Sequence, residues 1–305
     1  MSTSTRTPTK DSAQTVHDED LRHVRNAGRK KLAGYAVLVL FSVIYLYPFL
    51  IQIATSFKSD PQASATPLSI IPNPFDLSAW KRMFGLTPDS SIPIMTWLGN
   101  SVLVTVIVTA ARVFLDSLAG YALSRLHFRG RGVPLRRGPG CDERPRRRAA
   151  VPKFLIVTYL GLYDTYAAMI LPLLVDAAGV FIMKQFFDSV PISIEEAARM
   201  DGAGVFRTFW SVVLPMARPA LITLTILSFQ GSWNEFSHFL VVTQSPEHKT
   251  LITGLAGLAS GSLGSGTQFP LKMGAALLTT IPVAILFFVF QRHFVSGANE
   301  GGVKG

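Results

Sequence analysis

Five apolar stretches, each long enough to cross a lipid bilayer, constrain this chain more than any other feature. A helix needs about 20 apolar residues to cross a hydrocarbon core of about 30 Å. Composition agrees, because 49% of the residues are hydrophobic, 16% are charged and the mean hydropathy is +0.34. The sequence therefore predicts an all-α fold, a polytopic membrane helical bundle. The predicted spans are residues 32–56, 97–123, 165–187, 220–242 and 270–291.

Several function classes find no motif in the sequence. The single cysteine, Cys141, excludes an internal disulfide, and six scattered histidines show no metal-ligand spacing. No phosphate-binding loop is present, since the glycine-rich segment 261–267 lacks the lysine, and neither GxSxG nor HExxH occurs. We expect no enzymatic activity, no metal and no cofactor in this chain.

The polar segments between the spans predict loops. Residues 1–31 read as a cytoplasmic tail, unstructured to about residue 20, and 58–96 and 243–269 read as external loops. Trp80 and Trp97 are candidate anchors at the membrane interface. Within the second span, Arg112 and Asp116 stand four residues apart, which favours an ion pair facing the bundle over a functional site.

An amphipathic segment from Ile192 to Pro215 lies between two spans and is too polar to cross. Ser193 and Glu196 have the spacing of a capping box, in which each side chain satisfies a free backbone N–H at a helix start. Gly202 then predicts the end of that helix. A second arm follows from about Ala203, and Leu214-Pro215 is predicted to stop it. The segment is therefore a helix-turn-helix on a membrane surface.

The order Glu196-Ala-Ala, Gly202 and Leu214-Pro215 resembles the EAA loop of permease subunits of bacterial ABC importers. In that family the loop docks on a separate ATPase and passes its movement to the membrane helices. The resemblance gives small side chains at the docking face and a bend after the first helix, and the alternative is an ordinary interfacial amphipathic helix. The coupling residues it implies are Glu196, Ala197, Ala198, Asp201, Gly202, Leu214 and Pro215.

A second resemblance points to sugar. The segment 231–236, in the fifth span, and the C-terminal residues 301–305 are similar to segments of carbohydrate-importer permeases. An indole stacks on the apolar face of a pyranose and an amide bonds its hydroxyls, so Trp233 and Asn234 suit a substrate path. The alternative is a hydrogen bond between helices.

The resemblance implies a six-helix type I ABC importer permease of the maltose type in the bacterial plasma (inner) membrane, with both termini cytoplasmic. Its partners would be a second, different permease, two ATPase subunits, an extracytoplasmic solute-binding protein, the sugar and membrane lipid. The expected divisions are an N-terminal tail, 1–31, a permease domain, 32–291, with a coupling loop at 188–219, and a C-terminal tail, 292–305. Alternatives are a permease for amino acids or polyamines, an inactive remnant, and a nucleotide-independent secondary carrier, although no inverted repeat is visible.

One stretch, residues 131–151, departs from the family. Members carry their third membrane helix here, but residues 132–150 of this chain contain six Arg, one Asp and one Glu. Each charge at a helix centre costs roughly 2.5–3.5 kcal/mol, so the stretch cannot span. The segment between Arg125 and Lys153 holds ten cations and two acids, or +8 of the net +10. The positive charge is therefore local, and we expect no nucleic-acid partner.

Parity leads to the same conclusion. If the stretch stays inside, the single span 165–187 would place the EAA loop outside, where no ATPase could reach it, and the apolar remainder 149–163 is short for a crossing. We hypothesise that about 131–151 are read out of frame between two compensating insertions or deletions, because length and resemblance resume in register at Val151. The alternative is a genuine basic loop that binds anionic lipid.

Overall fold

The chain folds into α-helices, as a computed structural model shows, and the predicted all-α class is confirmed. The structure describes residues 10–88, 92–129, 131, 146–260 and 268–301. Short 3-10 segments occur at Leu171–Leu173 and Pro246–His248, and a π-helical turn at Phe209–Val213. The α-helices are α1 (Lys10–Ser56), α2 (Asp60–Ala65), α3 (Ser78–Met83), α4 (Ile94–Arg125), α5 (Arg146–Tyr159), α6 (Tyr166–Ile170), α7 (Ala177–Ser189), α8 (Ile192–Met200), α9 (Val205–Thr208), α10 (Leu214–Met216), α11 (Arg218–Trp233), α12 (Ser237–Val242), α13 (Leu251–Ala259) and α14 (Phe269–Gly301).

Four helical segments are long and apolar enough to cross a membrane: Gly34–Ser56, Ile94–Arg125, Tyr166–Ser189 and Phe269–Gln291. They agree with four of the five predicted spans to within a few residues at either end. A fifth candidate is the pair Val205–Met216 and Arg218–Trp233, whose two parts are bent by 82°. The described part of the chain thus contains four or five possible crossings.

The prediction of one continuous helix over residues 220–242 is wrong. Helix α11 ends at Trp233, and α12 begins four residues later at Ser237. Glu235 lies just before α12, and its Oε1 accepts a hydrogen bond from the backbone N–H of His238 at 2.9 Å. A carboxylate that binds a free N–H favours the start of a new helix. The span is therefore interrupted at residues 234–236.

The segments outside the spans are more helical than the sequence suggested. Helix α1 already begins at Lys10, and no proline interrupts it before Pro48. The prediction of an unstructured tail to about residue 20 is therefore wrong. The two external segments contain α2, α3 and α13, and α3 and α13 pack around Trp97. Trp97 is fully buried, with its indole N–H donating to Pro246 O at 2.8 Å, so it is no interface anchor.

Helices α4 and α7 form the centre of the bundle and run parallel to each other. Ser124 Oγ donates to Asp188 Oδ1 at 2.6 Å near the C-terminal ends of both helices. At the start of α7, the Asp176 N–H donates to Asp116 Oδ1 of α4 at 3.1 Å, and these two residues are 60 positions apart in the sequence. The backbones of α4 and α7 approach each other closely at Gly120, where an added Cβ would lie only 2.8 Å from Met183 Cβ. We name the two ends of α4, and the ends of the bundle at which they lie, the Arg125 end and the Trp97 end.

The predicted ion pair between Arg112 and Asp116 is not formed. Arg112 Nε instead donates to the carbonyl oxygen of Leu173 at 2.5 Å, and fully buried Asp116 accepts from the Asp176 backbone. Both side chains therefore join α4 to the start of α7. The interruption of the helix between Leu173 and Ala177 explains this, since it leaves backbone groups that need partners.

The basic stretch 131–151 lies mostly outside the described residues, and only its last six residues belong to α5. Helix α5 has 14 residues and includes Pro152, and it is not among the segments long enough to cross. Because α4 and α7 are parallel, the chain must return from the Arg125 end to the Trp97 end between residues 126 and 165. This return contains α5.

Candidate functional site

The segment that the sequence singled out lies at the Arg125 end of the bundle and folds as two helical arms. The first arm, α8, does not begin with the predicted capping box. Its N-cap is Pro191, no side chain caps it, and Ser193 lies inside the first turn with Glu196 one turn further on. Proline fixes φ near −65° and so prepares a helix start without a side-chain cap. The predicted anchoring role of Glu196 is therefore wrong.

The end of α8 is as predicted. Asp201 is the C-cap, and Gly202 follows with φ +80°. This left-handed conformation is readily available only to glycine, and it turns the chain sharply after the helix. The two arms meet at this bend.

The second arm is distorted before it ends. The N–H of Leu214 donates to Phe209 O, five residues back, which is the π-helical pattern, and Pro215 contributes no N–H to the helix. The predicted stop at Pro215 is one residue early, because α10 continues to Met216. The bend of 82° into α11 follows at Ala217.

Most of the predicted coupling residues face outward. Glu196, Ala197, Asp201, Gly202 and Pro215 are exposed, whereas Ala198 and Leu214 are half-buried. Large apolar side chains are exposed beside them, and Met200 at the end of α8 is 89% accessible. Exposed apolar groups gathered in one place mark a contact surface. We name this the loop face, and its large apolar members are Ile192, Met200, Val205, Phe206, Trp210 and Met216.

The one buried residue of α8 is Glu195, which no sequence pattern singled out. Its carboxylate lies 2.8 Å from Nε of Arg125 and 3.8 Å from Arg199, and the hydroxyl of Tyr121 donates to it at 3.2 Å. The Arg125 N–H is not aimed at the oxygen, so that contact is a charge pair rather than a hydrogen bond. Two adjacent acids gave no sign of which one points inward, and Arg125 is 70 residues away in the sequence.

The two residues of the predicted substrate path have different surroundings. Trp233 is buried, its indole N–H donates to Thr279 O at 2.9 Å, and its ring is stacked on Phe229. Asn234 is exposed, and its amide donates to Gln230 O at 3.1 Å. The amide of Asn234 is thus accessible at the interruption of the span, and the indole of Trp233 holds α11 against α14.

Metal binding has no support in the described ranges, where no group of three or more His, Cys, Asp or Glu side chains could hold an ion. At the Arg125 end, Arg125 pairs with Glu195 and with backbone carbonyls, and Lys184 pairs with Asp188.

Comparison with known proteins places this architecture. Residues 27–298 match the family described as binding-protein-dependent transport system inner membrane component. The polygalacturonan/rhamnogalacturonan transport system permease of Bacillus subtilis is 33% identical, over 89% of this chain and 96% of that protein. The trehalose/maltose transport system permease of Thermococcus litoralis is 30% identical, over 88% and 94%.

A solved structure has the same fold. It is the crystal structure of a bacterial ABC transporter involved in the import of the acidic polysaccharide alginate, and one of its chains is 25% identical to this one. The TM-score is 0.71, with 95% of this chain and 100% of that chain covered.

Proposed function

This chain belongs to the family of inner membrane components of binding-protein-dependent transport systems, and we propose that it is the permease subunit of an ATP-driven importer of sugars or oligosaccharides. It is a multi-pass membrane protein and a transport subunit. The relatives named above carry saccharides in their names, which supports a saccharide substrate here.

The observation that carries the proposal is the loop face at the Arg125 end. It offers the exposed Ala197, beside the exposed Glu196, to a partner, because an alanine lets another helix approach closely. The sequence lacks a phosphate-binding loop, so ATP is hydrolysed by an ATPase that docks there. Residues Ala198, Asp201, Gly202, Leu214 and Pro215 shape the same surface.

The complete transporter contains this chain, a second and different permease, two ATPase subunits and an extracytoplasmic binding protein. The Arg125 end faces the cytoplasm, because Arg125, Arg129 and Arg131 lie there and basic residues are retained on the inner side. Both termini are then cytoplasmic, in the bacterial plasma membrane. Closure of the ATPase pair moves the loop face, and the helices change which side of the membrane they open to.

The interruption of the fifth span at residues 234–236 contributes to the solute path. Irregular backbone within a membrane is tolerated where it lines a cavity, and interrupted helices commonly form binding sites in transporters. Asn234 offers an exposed amide for sugar hydroxyls, and Trp233 fixes the end of α11 beside it.

The test of this function is the substitution Ala197→Arg, which places a long charged side chain in the centre of the loop face. The matched control is Ala65→Arg, which changes an exposed alanine of α2 near the Trp97 end. We expect Ala65→Arg to retain the ATPase during purification and to support ATP-dependent uptake of rhamnogalacturonan oligosaccharide, maltose or alginate oligosaccharide in proteoliposomes. Ala197→Arg should lose both.

Two results would contradict the proposal. Retention of the ATPase by Ala197→Arg would remove the loop face as its docking surface. Uptake by the wild-type chain without ATPase or nucleotide would make the protein a secondary carrier instead.

A further inference from the structure

Arg125 joins three helices at the end of the bundle that bears the loop face. It is the last residue of α4, and one terminal nitrogen of its guanidinium donates to the carbonyl oxygens of Phe187, at 2.5 Å, and of Val190. These carbonyls lie at the C-terminal end of α7, where helices leave acceptors unpaired and carry partial negative charge. The guanidinium therefore fixes the ends of α4 and α7 to each other.

The same guanidinium holds α8 through Glu195. The Nε–Oε1 separation is 2.8 Å, and the side chains are 10% and 1% accessible, so the pair is almost fully withdrawn from water. Tyr121, one turn before Arg125 on α4, donates to the second carboxylate oxygen at 3.2 Å. Its ring is packed against Phe187 and Phe209, in an apolar cluster that joins α4, α7 and the second arm.

Every other residue of α8 is exposed or only partly buried, so Glu195 is the one side chain of this helix that is fully buried against the bundle. A charge pair at this depth is costly to separate, because neither partner can move alone without leaving an unpaired charge in a site that excludes water. An apolar contact would let the helices slide more freely. A displacement of α8 therefore draws the ends of α4 and α7 with it.

We propose that Glu195 and Arg125, supported by Tyr121, are positioning residues that transmit movement of α8 to the paired helices α4 and α7. This rests on the proposed function, in which an ATPase moves α8. The two adjacent acids then have separate tasks: exposed Glu196 faces the partner, and buried Glu195 faces the bundle.

The test measures sugar transported per ATP hydrolysed by the complete complex in proteoliposomes, because a merely structural role would change yield without changing this ratio. Glu195→Gln keeps the shape of the side chain and removes its charge. We expect the ratio to fall about tenfold, the size of a typical coupling between sites. The control is Asp60→Asn, which removes the charge of the half-buried Asp60–Arg82 pair, 3.3 Å apart near the Trp97 end, and should leave the ratio within about twofold.

If Glu195→Gln does not assemble, Tyr121→Phe decides, because it removes the hydroxyl that binds Glu195 and keeps the ring packing. A fall of two- to threefold in the ratio, the low end of the range for one hydrogen bond, would support the proposal. An unchanged ratio in an assembled Glu195→Gln complex, or in Tyr121→Phe where the first does not assemble, would overturn it. Failure of the wild-type and Asp60→Asn complexes to transport any of the three saccharides would count against the proposed function instead.

Discussion

Gly202 shows how one residue can determine the shape of the loop face. Its φ of +80° is strained for any side chain, although a Cβ there would contact nothing within 4 Å. Gly202→Ala should therefore destabilise the protein by about 1–2 kcal/mol through backbone strain alone, and thermal unfolding in detergent would show a lower Tm. The control is Gly99→Ala, equally open but within α4, where alanine should be neutral or stabilising. Equal Tm values for the two variants would show that the bend does not depend on glycine.

Asp164, at φ +60°, organises the turn between α5 and α6 and ties it to the residues after α12. Burial by itself raises the pKa of its carboxyl, but hydrogen bonds from the Ser245 hydroxyl and from the amides of Gln244 and Ser245 outweigh it, and the pKa is lowered overall. A lowered folded-state pKa gives stability that is present above the unfolded-state value, about 3.9, and is lost as pH falls through the folded-state value.

We therefore expect the Tm of the wild-type protein to fall as the pH drops below about 4. Asp164→Asn keeps the φ and one acceptor but cannot be charged. It should lower the Tm at pH 7 by a few degrees and reduce the loss at acid pH, as measured by thermal unfolding between pH 7 and pH 3. A variant that follows the same pH profile as the wild type would contradict this assignment.

At the level of single helices, the sequence predicts what depends on hydrophobic length and fails where a side chain acts at a distance. The spans of α1, α4, α7 and α14 follow from apolar runs, and the end of α8 follows from Gly202. The interruption after Trp233 was missed because Glu235 lies within an apolar run. Its carboxylate can accept the His238 N–H only once α12 has formed. The inward position of Glu195 depends on Arg125, which no spacing rule connects with it.

The interruption after Trp233 also leads to a prediction about sugar binding at the end of α11. Asn234→Ala removes the exposed amide, and we expect KM for the transported sugar to rise about fivefold, equivalent to about 1 kcal/mol for one hydrogen bond. Thr223→Ala is the control, since Thr223 is an exposed polar residue of the same α11 whose hydroxyl bonds its own helix at Pro219 O. An unchanged KM in uptake assays of Asn234→Ala would exclude the amide from the solute path.

The topology of the whole molecule requires a crossing that the printed sequence does not provide. Parallel α4 and α7 oblige the chain to return between residues 126 and 165, and Tyr166 Oη already donates to Asn100 Oδ1, at 2.7 Å, near the start of α4. The 14 residues of α5 extend about 21 Å, less than a hydrocarbon core of about 30 Å. The residues before α5 cannot complete the crossing, because they include Arg136, Arg137 and Arg144. Helix α5 itself begins with three arginines, Arg146, Arg147 and Arg148. This supports the proposal that residues 131–151 are read out of frame.

Resequencing the DNA that encodes residues 128–153, together with peptide mass analysis of the protein, tests that proposal directly. We expect a corrected frame to give an apolar run that leads into Val151-Pro152, because α4, α7 and α8 already occupy the positions that such a third span requires. Trypsin would then release a long apolar peptide from this region instead of several short ones. Detection of peptides cut after Arg131, Arg137 and Arg148 would show that the basic stretch is real. The protein would then lack its return crossing, and α8 would face away from any ATPase. The chain would be an inactive remnant of a sugar permease rather than a working importer.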